Sequence, residues 1–154
     1  MDEVIHDTFV VERSYPVPPQ RVFAAFADPA RKRRWFAEGP GHELEHYEMD
    51  FRAGGHERAR YLFRPGTPIA GKRITNDQTY LALVPDRRIV TVQSMSLDDS
   101  LMSTALITIE LSAAGGSTDL TCTHQAAFFE GSDGPQMREG GWRALFESLA
   151  GEVA

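Results

Sequence analysis

Between residues 43 and 128 the chain alternates apolar and polar side chains in short runs broken by turn residues, and no other feature narrows the fold as much. Tyr47, Met49 and Phe51 fall on one side of an extended segment, with Glu48, Asp50 and Arg52 on the other. The same reading expects further strands at residues 56–63, 74–84, 88–96, 102–112 and 118–128, separated by turns at Arg64-Pro65-Gly66, Pro85-Asp86, 97–100 and 113–117. Gly54-Gly55 reads as a two-residue hairpin turn. Consecutive strands joined this tightly make an antiparallel meander.

The flanks add one strand and three helices. Residues 8–14 read as a first strand, ended by Pro16, Pro18 and Pro19, because proline donates nothing to a ladder. Pro18 and Pro19 then open a short helix with Val22, Phe23 and Phe26 on one face, and Asp28-Pro29 supplies the N-cap and first-turn proline of a second. After a loop from Gly131 to Pro135, Trp142, Leu145, Phe146, Leu149 and Val153 recur at helical spacing as one apolar stripe. That stripe needs a broad partner, and one face of the sheet is available. Gly140-Gly141 inside this helix costs about 1 kcal/mol per residue relative to alanine, so the helix kinks there or something large approaches it.

With 154 residues and 42% apolar content, the chain is expected to form one α+β domain spanning 1–154. A formal net charge of −6 argues against nucleic acid or an anionic membrane surface as the partner. No run approaches a membrane span, and the opening Met1-Asp2-Glu3-Val4 is unlike a secretory signal, so a cytoplasmic location is expected. Cys122 is the only cysteine and, in its strand pattern, reads as a buried small hydrophobe.

One segment, His42-Glu43-Leu44-Glu45-His46, matches the H-E-x-x-H zinc-protease pattern. Zinc needs both histidines one helical turn apart, whereas on a strand they stand about 13 Å from each other. The segment runs into the Tyr47-Met49-Phe51 alternation, so strand-end histidines are expected. Neither a metal nor any other cofactor is expected.

Four stretches carry a family resemblance: Phe9-Val10-Val11-Glu12-Arg13-Ser14-Tyr15-Pro16 running into Pro19-Gln20-Arg21-Val22-Phe23; Asp28-Pro29 with Arg34-Trp35-Phe36; Asp50-Phe51-Arg52-Ala53-Gly54-Gly55; and Val84-Pro85-Asp86-Arg87-Arg88-Ile89-Val90. Gly141-Trp142 with Leu145 and Leu149 is a weaker echo. Together they resemble the START-like, or SRPBCC, superfamily, in the branch of homologues of the activator of the heat-shock-protein ATPase. The resemblance implies a helix-grip fold, in which a curved antiparallel sheet of about seven strands wraps a long C-terminal helix, with two short helices after the first strand. It also implies a cavity between sheet and helix for a lipid or polyketide-like ligand, and it alone points to a homodimer. It supplies no catalytic set to carry over.

Within that frame His124, in strand parity with Leu120, Cys122, Ala126 and Phe128, is the best acid–base candidate, beside the plainer reading of a hydrogen-bonded core histidine. Gln93, in parity with Ile89, Thr91 and Met95, is a polar group that would face it across a cavity. Trp35, Tyr47, Tyr61, Phe63, Tyr80, Met95, Phe128, Trp142 and Phe146 are the expected apolar lining, with ordinary core packing as the alternative for each. Arg31-Lys32-Arg33-Arg34 reads as a solvated helix face, with steering of a ligand at the cavity mouth as the alternative. Three functions follow, in order of preference: a binding protein for a small apolar ligand, a cyclase, dehydratase or hydrolase on a polyketide-like substrate, and a protein-interaction module.

Overall fold

The computed structural model describes residues 3–154. Strand β1 (Ile5–Tyr15) leads into helix α1 (Pro19–Ala27), then helix α2 (Pro29–Lys32), which widens into a π-helical turn at Arg33–Ala37. Strands β2 (His42–Met49), β3 (His56–Phe63), β4 (Arg73–Val84), β5 (Arg88–Leu97), β6 (Ser100–Ala114) and β7 (Ser117–Phe128) follow, and helix α3 (Pro135–Val153) closes the chain. One antiparallel sheet holds all seven strands in the order β1-β7-β6-β5-β4-β3-β2. Only the first strand breaks the meander, pairing with the last: Phe9 lies opposite His124, and Val11 opposite Cys122.

The helical region forms as its punctuation predicts. Asp28 caps α2, its Oδ1 accepting from the backbone of Ala30 at 2.9 Å and Arg31 at 3.4 Å. Lys32, Trp35 and Phe36 stand at i, i+3 and i+4, so all three face inward, while Arg31, Arg33 and Arg34 are exposed. The basic run is therefore solvated at three positions and buried at the fourth. Lys32 shares the aromatic face, and helical periodicity carries it inside.

The glycine pair after β2 departs from a two-residue hairpin. Residues 50–55 connect β2 to β3, with the Arg52 amide turning back onto the Asp50 carbonyl at 3.0 Å. A Cβ on Gly55 would come within 2.1 Å of the Asp50 oxygen, so glycine is required there by close backbone approach.

Helix α3 runs unbroken through Gly140 and Gly141 and lies against β1, α1 and the π turn. Tyr15 Oη donates to the Phe146 carbonyl at 2.9 Å, and Arg13 pairs with Glu147 at 3.1 Å, pinning the helix to β1. Its buried stripe is Trp142, Phe146, Leu149 and Val153, as the spacing predicts, with Arg138 buried one turn earlier. The main core joins this stripe to Phe9, Val11, Ile107, Ile109, Leu120 and Cys122. A second, smaller cluster gathers Ala37, Ala59 and Tyr61 under Leu44, Tyr47, Phe63 and Ile74. The two clusters do not merge. Among the described residues, no helix is long and apolar enough to cross a membrane.

Candidate functional site

Where the two clusters part, α3 stands off the sheet and leaves a cavity of about 270 Å³. Its sheet wall comes from Tyr61 and Phe63 on β3, Ile74 and Asn76 on β4, and Gln93 and Met95 on β5. The helix wall comes from Met137, Arg138, Gly141, Trp142 and Leu145, with Phe36, His42 and Asp133 completing the rim. Gly141 belongs to this wall, and a Cβ placed on it meets nothing within 4 Å. The glycine at this helix position thus leaves the cavity open without bending the helix.

The polar groups of this wall are few, and Asn76, Gln93 and Arg138 are deeply placed, the arrangement expected of a site that orients an apolar molecule. Gln93 and Arg138 are only 4% and 5% exposed. Gln93 Nε2 donates to Asn76 Oδ1 at 3.0 Å, and its Oε1 has no partner. Arg138 donates through Nε and Nη2 to the two oxygens of Asp133 at 2.9 and 2.8 Å, and its Nη1 has no partner. Burial opposes ionisation of Asp133, but the paired bonds from Arg138 outweigh it and hold the carboxyl below its usual range.

Phe36 and Trp142, 6.0 Å apart between ring centres, divide this cavity from a small void of about 10 Å³ deeper in the core. That void is bordered by Trp35, Gln78, Tyr80, Thr91 and Lys32, and Gln78 Nε2 beside it has no partner. Next to it lies the most concentrated polar cluster of the interior. Lys32 Nζ donates to Glu57 Oε1 at 2.8 Å, Tyr80 Oη to the same oxygen at 2.6 Å, and Tyr47 Oη to Glu57 Oε2 at 2.8 Å. The ammonium also sits 4.2 Å from the centre of the Phe36 ring, a cation–π contact. Burial, reinforced by the Glu57 charge, pushes the phenols of Tyr47, Tyr61 and Tyr80 far above their usual range, so they remain protonated.

Of the residues expected from the sequence, Tyr61, Phe63, Gln93, Met95 and Trp142 meet in the cavity wall. Trp35 and Tyr80 border the inner void, and Trp35 Nε1 is used up on the Ala25 carbonyl at 2.8 Å. Tyr47, Phe128, Phe146 and His124 lie outside both linings. His124 is fully buried, stacked on Phe9 at 4.4 Å with Trp142 on another side, and neither ring nitrogen has a partner. Burial, then the nearby charge of Arg138, pushes its pKa down to about 4. The imidazole is therefore neutral at pH 7. Burial likewise pushes the Cys122 thiol up to about 12. The H-E-x-x-H segment lies on β2, as its alternation requires, and His42 donates through Nε2 to the Ala37 carbonyl at 2.7 Å.

Residues that the sequence reading passed over are Glu57, Asn76 and Arg138, and Lys32, read there as part of a solvated face, is buried. Each carried a signal. Glu57 shares strand parity with Ala59 and Tyr61, Asn76 with Gln78 and Tyr80, and Arg138 stands one turn before Trp142 on the apolar stripe of α3. A charge or amide at an inward position is the feature that marks them.

The model of the family described as Activator of Hsp90 ATPase homolog 1-like protein matches residues 16–154. Among solved structures, the chain is similar to the Mll3558 protein from Rhizobium loti at 44% identity, covering 97% of this chain and 99% of that one with a TM-score of 0.84. An uncharacterized protein from Rhizobium leguminosarum is 31% identical, with 98% and 96% coverage and a TM-score of 0.88. DynU16, a protein in the dynemicin biosynthetic locus, shares the fold at 20% identity and a TM-score of 0.63, over 96% of this chain and 47% of that one. No curated protein matches the chain.

Proposed function

The chain belongs to the Activator of Hsp90 ATPase homolog 1-like family, within the START-like superfamily, and from that premise we propose that it binds a small, largely apolar ligand, lipid or polyketide-like in character, between sheet and C-terminal helix. The observation that carries this reading is the 270 Å³ cavity, whose wall is mostly aromatic and aliphatic yet contains two deeply buried side chains with unpartnered polar atoms. A buried polar atom without a partner costs roughly 1–3 kcal/mol, which a ligand supplying that partner would recover.

Binding is favoured over turnover by the state of the titrating groups. His124 stands outside the lining with its imidazole held neutral, and the phenols nearest the cavity are held protonated. Neither is tuned towards neutrality, as an acid–base catalyst would be.

The test is to purify the protein from a rich lysate, verify by native mass spectrometry that it is folded, denature it and identify what is released. A stoichiometric apolar molecule, absent from a Gly141→Leu variant that stays folded, is the expected result. Recovery of none, with no thermal shift across a panel of apolar ligands, would overturn the reading.

A further inference from the structure

The cavity wall says more than that its occupant is apolar. Two of its lining side chains, on opposite walls, each keep one buried unpartnered atom, of opposite hydrogen-bonding sense: the acceptor Oε1 of Gln93 on the sheet, and the donor Nη1 of Arg138 on the helix. Each side chain is already fixed by its other atoms, Gln93 by Asn76 and Arg138 by both oxygens of Asp133, so neither atom is free to turn away and find a partner elsewhere. Because Asp133 already balances the Arg138 charge, the free N–H suits a neutral carbonyl oxygen better than a second carboxylate, whose charge would be left uncompensated.

Size limits the occupant further. A dry 150 Å³ cavity accommodates benzene, so about 270 Å³ corresponds to roughly eleven heavy atoms, one or two rings. A long acyl chain would have to project out of it.

Resting on the binding function proposed above, we infer that the ligand is a compact one- or two-ring molecule with a carbonyl oxygen at one end, received by Arg138 Nη1, and a hydroxyl or N–H donor at the other, received by Gln93 Oε1. The recognition is a polar pair spanning the cavity from helix to sheet, with Trp142, Phe63, Ile74 and Leu145 enclosing the rings between.

The experiment uses four bicyclic probes of one shape: 6-hydroxy-1-tetralone, 1-tetralone, 5,6,7,8-tetrahydro-2-naphthol and tetralin. Binding to the full chain is read by calorimetry and by tryptophan fluorescence, to which Trp142 in the wall contributes. The hydroxyketone is expected to bind about tenfold more tightly than either probe lacking one polar group, and tetralin to bind most weakly. In Arg138→Lys, which keeps the ion pair with Asp133 but has no second guanidinium nitrogen, the advantage of the carbonyl disappears while that of the hydroxyl persists. In Gln93→Leu the pattern reverses. Equal binding of all four probes would overturn this inference and leave the apolar-ligand function standing. Binding of none, to a protein that also shows no shift with other apolar ligands, would overturn both. Loss of affinity for every probe alike in both variants would also sink the assignment, because it would report general damage to the cavity.

Discussion

Around Glu57, three donors converge on one carboxylate that is 1% exposed, and every oxygen is used. Across the Phe36–Trp142 partition, Gln93 and Arg138 are buried almost as deeply, yet each lines a cavity and keeps one polar atom without a partner. The two regions are built of the same chemistry and differ only in closure. A satisfied buried network specifies how elements pack; here it fastens α2 to β2, β3 and β4 through single side chains. An incomplete one next to a cavity is an invitation to a ligand. His124 is the instructive third case, with both nitrogens orphaned and the residue outside the cavity lining, so it carries a desolvation cost in the core instead of marking a site.

The largest predicted effect tests the closed region. Glu57→Ala leaves the Lys32 ammonium buried without its counter-ion and two phenols without an acceptor, at an expected cost of about 3–5 kcal/mol in chemical denaturation. Gln93→Leu removes an already orphaned oxygen along with one bond to Asn76, and is expected to cost no more than about 1 kcal/mol. Similar losses in the two variants would erase the contrast between the regions.

Next in size is acid sensitivity. The folded His124 pKa of about 4 lies below the ordinary value near 6.5, so between those two values the unfolded chain binds the proton more readily than the native one. Stability should therefore fall as pH drops from 6.5 towards 4, by about 3 kcal/mol in all from this group. His124→Leu should flatten that part of the curve when ΔG is measured against pH; an unchanged slope would mean that the imidazole is hydrated and not sealed among the aromatics.

These contrasts also show what could be read from the chain alone. Strand periodicity and the α3 stripe fix the architecture because each follows one repeating rule, and β3 begins and ends at the expected residues 56 and 63. Four of the six sheet residues in the cavity wall follow from the same rule: Tyr61, Phe63, Gln93 and Met95 have inward parity. Glu57 obeys that parity too, but a glutamate inside becomes credible only when its partners are known, and those come from a helix 25 residues earlier and strands on either side. Parity also places Tyr80 and Phe128 inward without saying which inward positions the helix covers and which it leaves facing space. That depends on the standoff of α3, a tertiary quantity.

A smaller loss is expected of Tyr80→Phe. It deletes one of three donors to Glu57 while keeping the ring, and the remaining two still bind both oxygens, so about 1–2 kcal/mol should be lost in denaturant titration. A neutral result would mean that the carboxylate is already saturated by Lys32 and Tyr47.

The smallest effect carries a favourable sign. Gly140 is exposed, and an added Cβ meets nothing, so Gly140→Ala should raise stability by about 1 kcal/mol through helix propensity and leave probe binding unchanged. Gly141 is also exposed and has the same free space, but it stands in the cavity wall. Gly141→Leu should also stabilise the fold, by helix propensity, while excluding the ligand. Thermal unfolding and tetralone binding measured together on the two variants separate the positions. Parallel behaviour, with both stabilised and both still binding, would show that the ligand does not reach the helix at this turn, and that the open region is no more a site than the closed one.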